Sequence, residues 1–331
     1  MSGRTVTPDI KNAARMRELC AAFDQGRLIA MPTETVYGLA APINRPDLVE
    51  KIFQLKGRPA SNPLIVHVCS IEQARDCVAG WPMVADALAK AFWPGPLTLV
   101  LPRSDLISDR VTAGQPTVAL RMPDHPVALA LIEALDSPVV APSANLFTRL
   151  SPTTAADVAE VFDDASVLVL DGGPCQVGIE SSIVSLDEAA KTVWWLRPGQ
   201  IDRDAIRPHL PAEWRLASPP DGKARQQRAP GDMLVHYRPA KPMRVTVAGD
   251  MNLIEQTKSS LMANRETCLV EISDEPDQAA RDLYASLRKA DAQPGRFIDV
   301  VIPARWQNDV AWEGVLNRLR KSASAWNEAE T

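Results

Sequence analysis

The sequence predicts an α/β protein with a twisted mixed sheet covered by helices, followed by a smaller Rossmann-like α/β domain. Short apolar, β-branched runs alternate irregularly with segments of helical periodicity, which is typical of a mixed sheet with helices packed on it. The 331 residues exceed the usual size of one core. A stretch rich in Pro, Ala and Arg, with few periodic apolar residues, runs from 208 to 242. We therefore predict domains at 1–207 and 243–331, joined by a linker at 208–242.

The first part begins with helical spacing over residues 8–25 that stops at Gly26. A buried strand at 28–31 follows, and Pro32 ends it. Pro46, a favourable first-turn residue, begins a helix that is predicted to run to residue 55. Further strands are predicted at 64–68, 97–101, 118–122, 138–141, 167–170, 182–186 and 192–196, and further helices at 72–79, 83–92, 126–135 and 154–162.

The second part repeats the alternation of strand and helix on a smaller scale. Strands are predicted at 243–247, 268–272 and 297–302, with helical segments between them and a last helix at 312–322. This spacing is typical of βαβ units.

Composition limits the class of protein. Lys and Arg number 36 against 41 Asp and Glu, so the net charge of −5 gives no overall attraction to RNA. The five cysteines are odd in number and lack a Cys-x-x-Cys pair, which argues against a disulfide framework or a zinc site. The N-terminus lacks the apolar run of a secretion signal, and no stretch approaches the roughly 20 apolar residues that span a bilayer. We expect a cytoplasmic protein without a membrane segment.

Polar motifs follow several of the predicted strands. Residues 32–39 place hydroxyls after the strand at 28–31, with Gly38 suited to a tight turn, although the pattern alone favours a strand exit with satisfied hydroxyls. Residues 56–63 hold Lys56 and Arg58 beside a Gly and two Pro, which suits a polyphosphate or a solvated basic turn. His67 lies within the next strand, where a lone His is usually structural.

Other polar residues extend this set. Thr117 and Arg121 lie four apart on one face of a strand, where Arg121 requires an anionic partner, either a ligand carboxylate or a nearby Asp. Residues 141–145 end a buried strand with small polar side chains, and Ser151 caps a helix whose N-terminus can bind phosphate or serve only the helix. Arg197 adds a cation at another strand end. Together these residues indicate an anionic, phosphorylated ligand.

Eight ordered motifs resemble those of the threonylcarbamoyl-AMP synthase (YrdC-like) family, over residues 15–205. They are PTETVYGL, KGRPASNPLIVHV, FWPGPLTLVL, TVALRMPDHP, APSAN, SPTTA, GIESSIV and LRPG. Residues 229–239 resemble the linker of the longer, two-domain members. Phe147 and Thr148 stand where many members have Ser-Gly, Ser182 stands where Thr is usual, and Asp232 is an extra residue in the linker motif.

The resemblance implies a site for each of two substrates. The implied catalytic quartet is Lys56, Arg58, Ser143 and Asn145, which also contacts ATP together with Asn62, Thr117, Ser151, Arg197 and, from the linker, Tyr237. The implied L-threonine site consists of Thr33, Thr35, His67, Arg121, Ala141 and Ser181. No metal ligand is assigned to a protein side chain.

The implied reaction joins L-threonine, bicarbonate and ATP into threonylcarbamoyl-AMP and pyrophosphate, for the threonylcarbamoyl modification of adenosine 37 in tRNA. Mg2+ is expected with the ATP. Such a displacement needs alignment and charge neutralisation more than a protein nucleophile. The resemblance also implies that a tRNA threonylcarbamoyl transferase receives the product. A non-catalytic protein that binds double-stranded RNA and a carbamoyltransferase are the alternatives.

Overall fold

The computed structural model describes residues 5–162, 166–220 and 236–328, which form two sheets with helices packed on them. The first sheet has 11 strands in the order β1-β8-β2-β3-β7-β4-β6-β5-β9-β10-β11. They are β1 (Thr5–Val6), β2 (Leu28–Met31), β3 (Gly38–Pro42), β4 (Ile65–His67), β5 (Leu97–Pro102), β6 (Thr117–Arg121), β7 (Val139–Val140), β8 (Val167–Leu170), β9 (Ser182–Asp187), β10 (Thr192–Arg197) and β11 (Arg215–Ala217). Parallel pairs such as β4 with β6 adjoin antiparallel pairs such as β5 with β6, which confirms the predicted mixed sheet.

The helices of this part lie between the strands along the chain. They are α1 (Ala13–Asp24), α2 (Pro46–Lys56), α3 (Ile71–Asp76), α4 (Met83–Phe92), α5 (Asp109–Thr112), α6 (Pro126–Leu135), α7 (Ala155–Val161) and α8 (Arg203–Ile206). α2 shows how local sequence sets the bounds: Pro46 begins it, and Gly57, with a φ of 62°, ends it in the left-handed conformation. α1 begins at 13 rather than 8 because the Asn12 side chain caps it.

The smaller sheet contains four parallel strands in the order β13-β14-β12-β15. Its elements are β12 (Met243–Ala248), α9 (Met251–Ala263), β13 (Thr267–Val270), α10 (Pro276–Ala292), β14 (Phe297–Pro303), α11 (Glu313–Ser322) and β15 (Ala325–Glu328). The sequence did not predict β15, whose short, partly exposed run lacks the apolar pattern of the other three. A parallel sheet with helices between its strands confirms the predicted α/β class of this part.

Three strands of the large sheet, β1, β3 and β11, were not predicted from the sequence, and β1 pairs parallel with β8. Gly38 begins β3 instead of forming a turn, and β3 pairs antiparallel with β2. A Cβ at Gly38 would lie 3.0 Å from the Cβ of Ala141, so glycine permits close approach of the two backbones. β11 lies inside the stretch that was predicted as a linker and pairs with β10.

The two parts share one apolar cluster. Val36, Val177 and Ile179 from the first part pack with the helices of the second part in a single buried group. Glycine allows the close contact at two places: a Cβ at Gly178 would lie 2.4 Å from a carbonyl oxygen of α10, and one at Gly314 would lie 2.6 Å from the carbonyl oxygen of residue 199. The smaller sheet domain is therefore packed directly against the loops that follow β8 and β10.

Candidate functional site

A cleft opens where loops and strand ends of the large sheet meet the segment that precedes β12. It contains about 570 Å3 of space between its lining residues, part of it open to solvent. Ten of the fifteen residues proposed from the sequence line it: Thr33, Thr35, Arg58, His67, Arg121, Ala141, Ser143, Ser181, Arg197 and Tyr237. The cations and hydroxyls of six separate motifs and of the linker segment thus converge on one place.

Lys56 does not line the cleft but contacts a residue that does. Its buried ammonium donates hydrogen bonds to the backbone oxygens of Ser143 and Asn145. The Asn145 side chain in turn donates to the backbone oxygens of Leu146 and Arg149, at 2.7 and 2.9 Å. Lys56 therefore holds the loop that follows β7, whose residue 143 faces the cleft.

Three further proposed residues also lie outside the lining of the cleft. The Asn62 backbone oxygen accepts a hydrogen bond from Arg58 Nε at 3.2 Å, so Asn62 orients a cation of the lining. The prediction that Ser151 caps a helix is wrong, because Thr154 caps α7; Ser151 is fully buried and donates to Glu180 Oε1 at 2.5 Å. Thr117 begins β6, about 13 Å along the strand from Arg121, and pairs with residue 102 at the sheet's other end. The structure brings Asn62 and Ser151 to the edge of the site and leaves Thr117 at a distance.

Another part of the lining, here called the floor, contains Thr33, Thr35 and Arg121. Arg121 forms a buried ion pair with Glu34. Arg121 Nη2 lies 2.6 Å from Glu34 Oε2, and both side chains are less than 10% exposed. Arg121 also donates to Thr35 Oγ1 at 2.8 Å and to the backbone oxygen of Gly95 at 3.2 Å. Thr35 Oγ1 is in turn 2.9 Å from Thr33 Oγ1. The anionic partner that Arg121 requires is thus Glu34, a residue that the sequence argument did not single out. Nη2 makes this ion pair without a hydrogen bond among the described residues, so two of the five donors of Arg121 are hydrogen-bonded.

Two arginines of the lining, Arg58 and Arg197, lie near each other and are here called the cationic wall. Arg58 and Arg197 are buried, and burial lowers the pKa of both guanidinium groups; the pKa of Arg58, which also feels the charge of Arg197, falls to about 9. Burial and the nearby charge of Arg58 likewise lower the pKa of Lys56. Like charges withdrawn from water are unfavourable without an anion, so this wall is suited to binding one.

A second carboxylate, Glu180, lies in the lining beside these cations. Burial alone would raise its pKa, but the charges of Arg318 and Arg197 lower it to about 2, so it is ionised. Arg318 Nε donates to Oε2 at 2.9 Å, and the Tyr284 hydroxyl is 3.0 Å from the same oxygen. Arg318 and Tyr284 belong to α11 and α10, so the second domain contributes to the site.

Two histidines complete the lining. His67 and His236 are buried, and burial, followed for His67 by the charge of Arg121, lowers the pKa of each imidazole to about 3. Nδ1 of each makes no hydrogen bond within the described ranges 5–162, 166–220 and 236–328. Both rings are therefore neutral near pH 7, and His67 faces the cleft as a neutral group.

Tyr237 reaches the cleft from the segment that leads into β12. Its backbone has a φ of 59°, and its ring is 4.1 Å from that of His236 and 5.8 Å from that of Tyr284, measured between centroids. Ser322 of α11 donates to the Tyr237 backbone oxygen at 2.7 Å. Residues 229–235 of the predicted linker motif, Asp232 among them, lie outside the described residues.

The unusual pair at 147 and 148 contacts this segment. The ring of Phe147 meets that of His236 edge to face at 5.9 Å, and the Thr148 backbone oxygen accepts a hydrogen bond from the Arg238 N–H at 2.7 Å. Thr148 has a φ of 68°, in the region that favours glycine. The loop keeps the conformation that Gly would provide, with a strained Thr in its place.

Sequence reasoning missed Glu34, Glu180 and His236. Each lies inside a motif in which other residues were proposed for the site. For Glu34 and Glu180, the available signal was a carboxylate in a set of motifs that are rich in cations. Their roles depend on partners up to 138 residues away, as for Glu180 and Arg318, which local patterns do not show.

Comparisons with known proteins give a consistent set of relatives. A family model for Sua5, YciO and YrdC, described as telomere recombination, matches residues 21–199, and one described as threonylcarbamoyl-AMP synthase, C-terminal domain, matches residues 201–324. The threonylcarbamoyl-AMP synthase of Pyrococcus abyssi is 36% identical over 326 residues, covering 93% of this chain and 94% of the relative. That of Bacillus subtilis is 35% identical, with 94% of each chain covered. The crystal structure of P. abyssi Sua5 complexed with L-threonine has a TM-score of 0.86 at 33% identity, covering 98% of both chains.

Proposed function

Because the chain belongs to the Sua5/YrdC family of threonylcarbamoyl-AMP synthases, we propose that it converts ATP, L-threonine and bicarbonate to threonylcarbamoyl-AMP and pyrophosphate. The product supplies the threonylcarbamoyl group for tRNA modification. One observation of the cleft carries this proposal: its lining holds two neighbouring buried arginines, Arg58 and Arg197, and a third buried arginine, Arg121, whose contacts include a threonine hydroxyl.

The cationic wall is the proposed nucleotide side. Arg58 and Arg197 would pair with phosphate oxygens, because buried guanidinium groups with lowered pKa values gain most from a multiply charged anion. Ser143 lies in the same lining, held by Lys56 through its backbone oxygen. Tyr237 would cover the nucleotide.

The floor is the proposed threonine side. Arg121 uses two of its five donors for hydrogen bonds to Thr35 and Gly95, and a carboxylate can accept from two of the others. His67, Ala141 and Ser181 lie around the same floor. The solved structure of the P. abyssi relative holds L-threonine, which supports an amino-acid site in this fold.

The chemistry requires no covalent intermediate with the protein. The amine of threonine adds to carbon dioxide from bicarbonate, and a carbamate oxygen then attacks the α-phosphorus of ATP while the bond to the β-phosphate oxygen breaks. The pyrophosphate leaves with its charge offset by Arg58 and Arg197, and the floor holds threonine in line with the α-phosphorus. Alignment and charge neutralisation carry the rate.

Mg2+ and bicarbonate belong to the proposal as well. Within the described ranges no cluster of three or more His, Cys, Asp or Glu side chains is arranged to hold a metal ion. The two carboxylates of the site are already bound by Arg121 and by Arg318. We therefore propose that Mg2+ enters with ATP as a substrate ion that the phosphates hold.

The domain organisation gives the linker a role. Residues 1–207 would form the catalytic domain, 243–331 the second domain, and 208–242 the linker whose Tyr237 closes over the nucleotide. The contacts of 236–238 with Thr148, Lys321 and Ser322 support this arrangement, since they tie the linker's end to both domains. No helix among the described residues is long and apolar enough to cross a membrane. We also propose a cytoplasmic location and transfer of the product to a tRNA threonylcarbamoyl transferase. Family membership favours synthesis of threonylcarbamoyl-AMP over the two alternatives, RNA binding without catalysis and carbamoyl transfer from carbamoyl phosphate.

The test is turnover by the full chain. The protein is incubated with MgATP, bicarbonate and, separately, L-threonine, L-serine or no amino acid, while pyrophosphate is measured by a coupled assay and the adenylate by mass. We expect pyrophosphate and threonylcarbamoyl-AMP in equal amounts with L-threonine. The exposed variant Arg320→Met serves as a matched control with unchanged turnover. Absence of the adenylate, or its formation without bicarbonate, would contradict the proposed reaction.

A further inference from the structure

Arg318 of the second domain is buried more completely than any other charged residue among those described, with no exposed surface. It meets the first domain at two segments. Nε and Nη2 donate to the Glu180 carboxylate and backbone oxygen at 2.9 and 2.8 Å, and Nη1 donates to the backbone oxygen of Pro198. Arg318 therefore clamps the chain just before β9 to the chain just after β10.

Those two segments carry residues of the proposed substrate sites. Ser181 follows Glu180, and Arg197 precedes Pro198. Arg197 donates to the Ser181 backbone oxygen at 2.9 Å and to its Oγ at 3.1 Å. The close contact of Gly314 with the carbonyl oxygen of residue 199 brings α11 near enough for the clamp. Arg318 therefore contacts the residues next to Ser181 and Arg197, and so lies directly beside the proposed substrate sites.

Charge gives the clamp a second effect. Glu180 faces a cleft that is proposed to hold a polyanion, and it lies in the electrostatic field of both Arg197 and Arg318. A carboxylate beside Arg197 would compete with phosphate for that guanidinium, unless another cation takes up its charge. Arg318, with Ser151 and Tyr284, supplies hydrogen bonds to both oxygens of Glu180.

We propose that Arg318 is a positioning residue for the nucleotide site, which takes up the charge of Glu180 and so prevents Glu180 from competing with the nucleotide for Arg197. The inference rests on the proposed function, because it assumes a nucleotide at the cationic wall. It assigns the second domain an electrostatic role in substrate binding, exerted from α11 across the domain interface.

The experiment compares Arg318→Met with the double variant Arg318→Met/Glu180→Gln, which removes both charges. ATP affinity is measured by calorimetry on the full chain without threonine, so the readout does not depend on turnover. We expect Arg318→Met to weaken ATP binding about tenfold, or 1.4 kcal/mol, and the double variant to return to within roughly threefold of the wild type. Arg320→Met, an exposed arginine on the same helix, is the control and should bind ATP normally.

The pH dependence adds a readout that packing alone would not change. In Arg318→Met, burial raises the pKa of Glu180 without the opposing charge of Arg318, so protonation at pH 6 should restore part of the ATP affinity relative to the wild type at the same pH. If Arg318→Met does not fold, Arg318→Lys, which keeps the charge, is compared with the double variant instead, and both should bind ATP. Two results would overturn the inference: a double variant no better than Arg318→Met, or, in that second comparison, loss of ATP binding in either variant. A wild-type protein that binds no ATP and releases no pyrophosphate would instead refute the proposed function.

Discussion

Acidification from pH 7 to pH 5 should destabilise this protein through its buried histidines. His67 and His236 each have a pKa of about 3 in the folded chain, whereas an unfolded histidine titrates near 6.5. The unfolded state therefore binds more protons across this window, and the free energy of unfolding rises with pH. Stability is fully present above the unfolded pKa of about 6.5 and is lost as the pH falls below it.

The magnitude follows from the two pKa values. At pH 5 the unfolded histidine lies about 1.5 pH units below its pKa, which corresponds to about 2 kcal/mol for each residue and about 4 kcal/mol for the pair. His125, whose pKa burial also lowers, adds to the loss with the same sign. Glu180 does not contribute in this window, because its lowered pKa matters only below about pH 4.5. A loss of this size is a large share of the stability of a typical domain.

Urea denaturation at pH 7, 6 and 5, followed by circular dichroism, measures the loss. The double variant His67→Gln/His236→Gln should lose about 4 kcal/mol less than the wild type between pH 7 and pH 5, whatever its stability at pH 7. The exposed substitution Arg320→Met provides the control, with the wild-type slope. An equal pH dependence in the wild type and the double variant would refute the reasoning, since it would mean that both rings take up protons without unfolding.

Three substitutions test the site and its loop. Arg121→Ala should weaken L-threonine binding and leave ATP binding largely intact in calorimetry, because its contacts lie on the floor of the cleft; an equal loss of both ligands would refute its assignment. Lys56→Ala should suppress pyrophosphate release by the folded protein, because the backbone oxygens of Ser143 and Asn145 lose their donor; wild-type release would exclude this role. Thr148→Gly should raise the free energy of unfolding by up to about 1 kcal/mol, because relief of the left-handed strain exceeds the entropy cost of glycine. Thr148→Ala should raise the free energy of unfolding by less. Destabilisation by Thr148→Gly would show that the Thr148 side chain compensates for the strain.

Local sequence was sufficient to predict helices and strands where apolar periodicity agrees with flanking Gly or Pro residues. The strand at 28–31 and the helices at 83–92 and 126–135 have the predicted bounds, because apolar spacing and flanking Gly or Pro residues act over a few neighbours. The same local logic located cations and hydroxyls at strand ends. It indicated an anionic ligand before any pairing of strands was known.

The pairing of strands that are distant along the chain could not be predicted from local sequence. β3 was missed because a short strand of small residues has no distinctive period, and β11 and β15 because partly exposed edge strands resemble loops. The order of the strands brings Arg58, Arg121 and Arg197 to one cleft, although they are far apart along the chain. Sequence could list these cations but could not state that they share a site.

The sequence by itself determined most of the strands and helices, and which residues carry charge or hydroxyl groups at their ends, since both depend on neighbours along the chain. Only the tertiary structure decided the partner of each buried charge: Glu34 for Arg121, and Arg318 for Glu180. The physical reason is that a buried ion pair is stable only when both groups are desolvated together at contact distance. Packing within the first domain sets that distance for Glu34 and Arg121, and packing of the two domains sets it for Glu180 and Arg318.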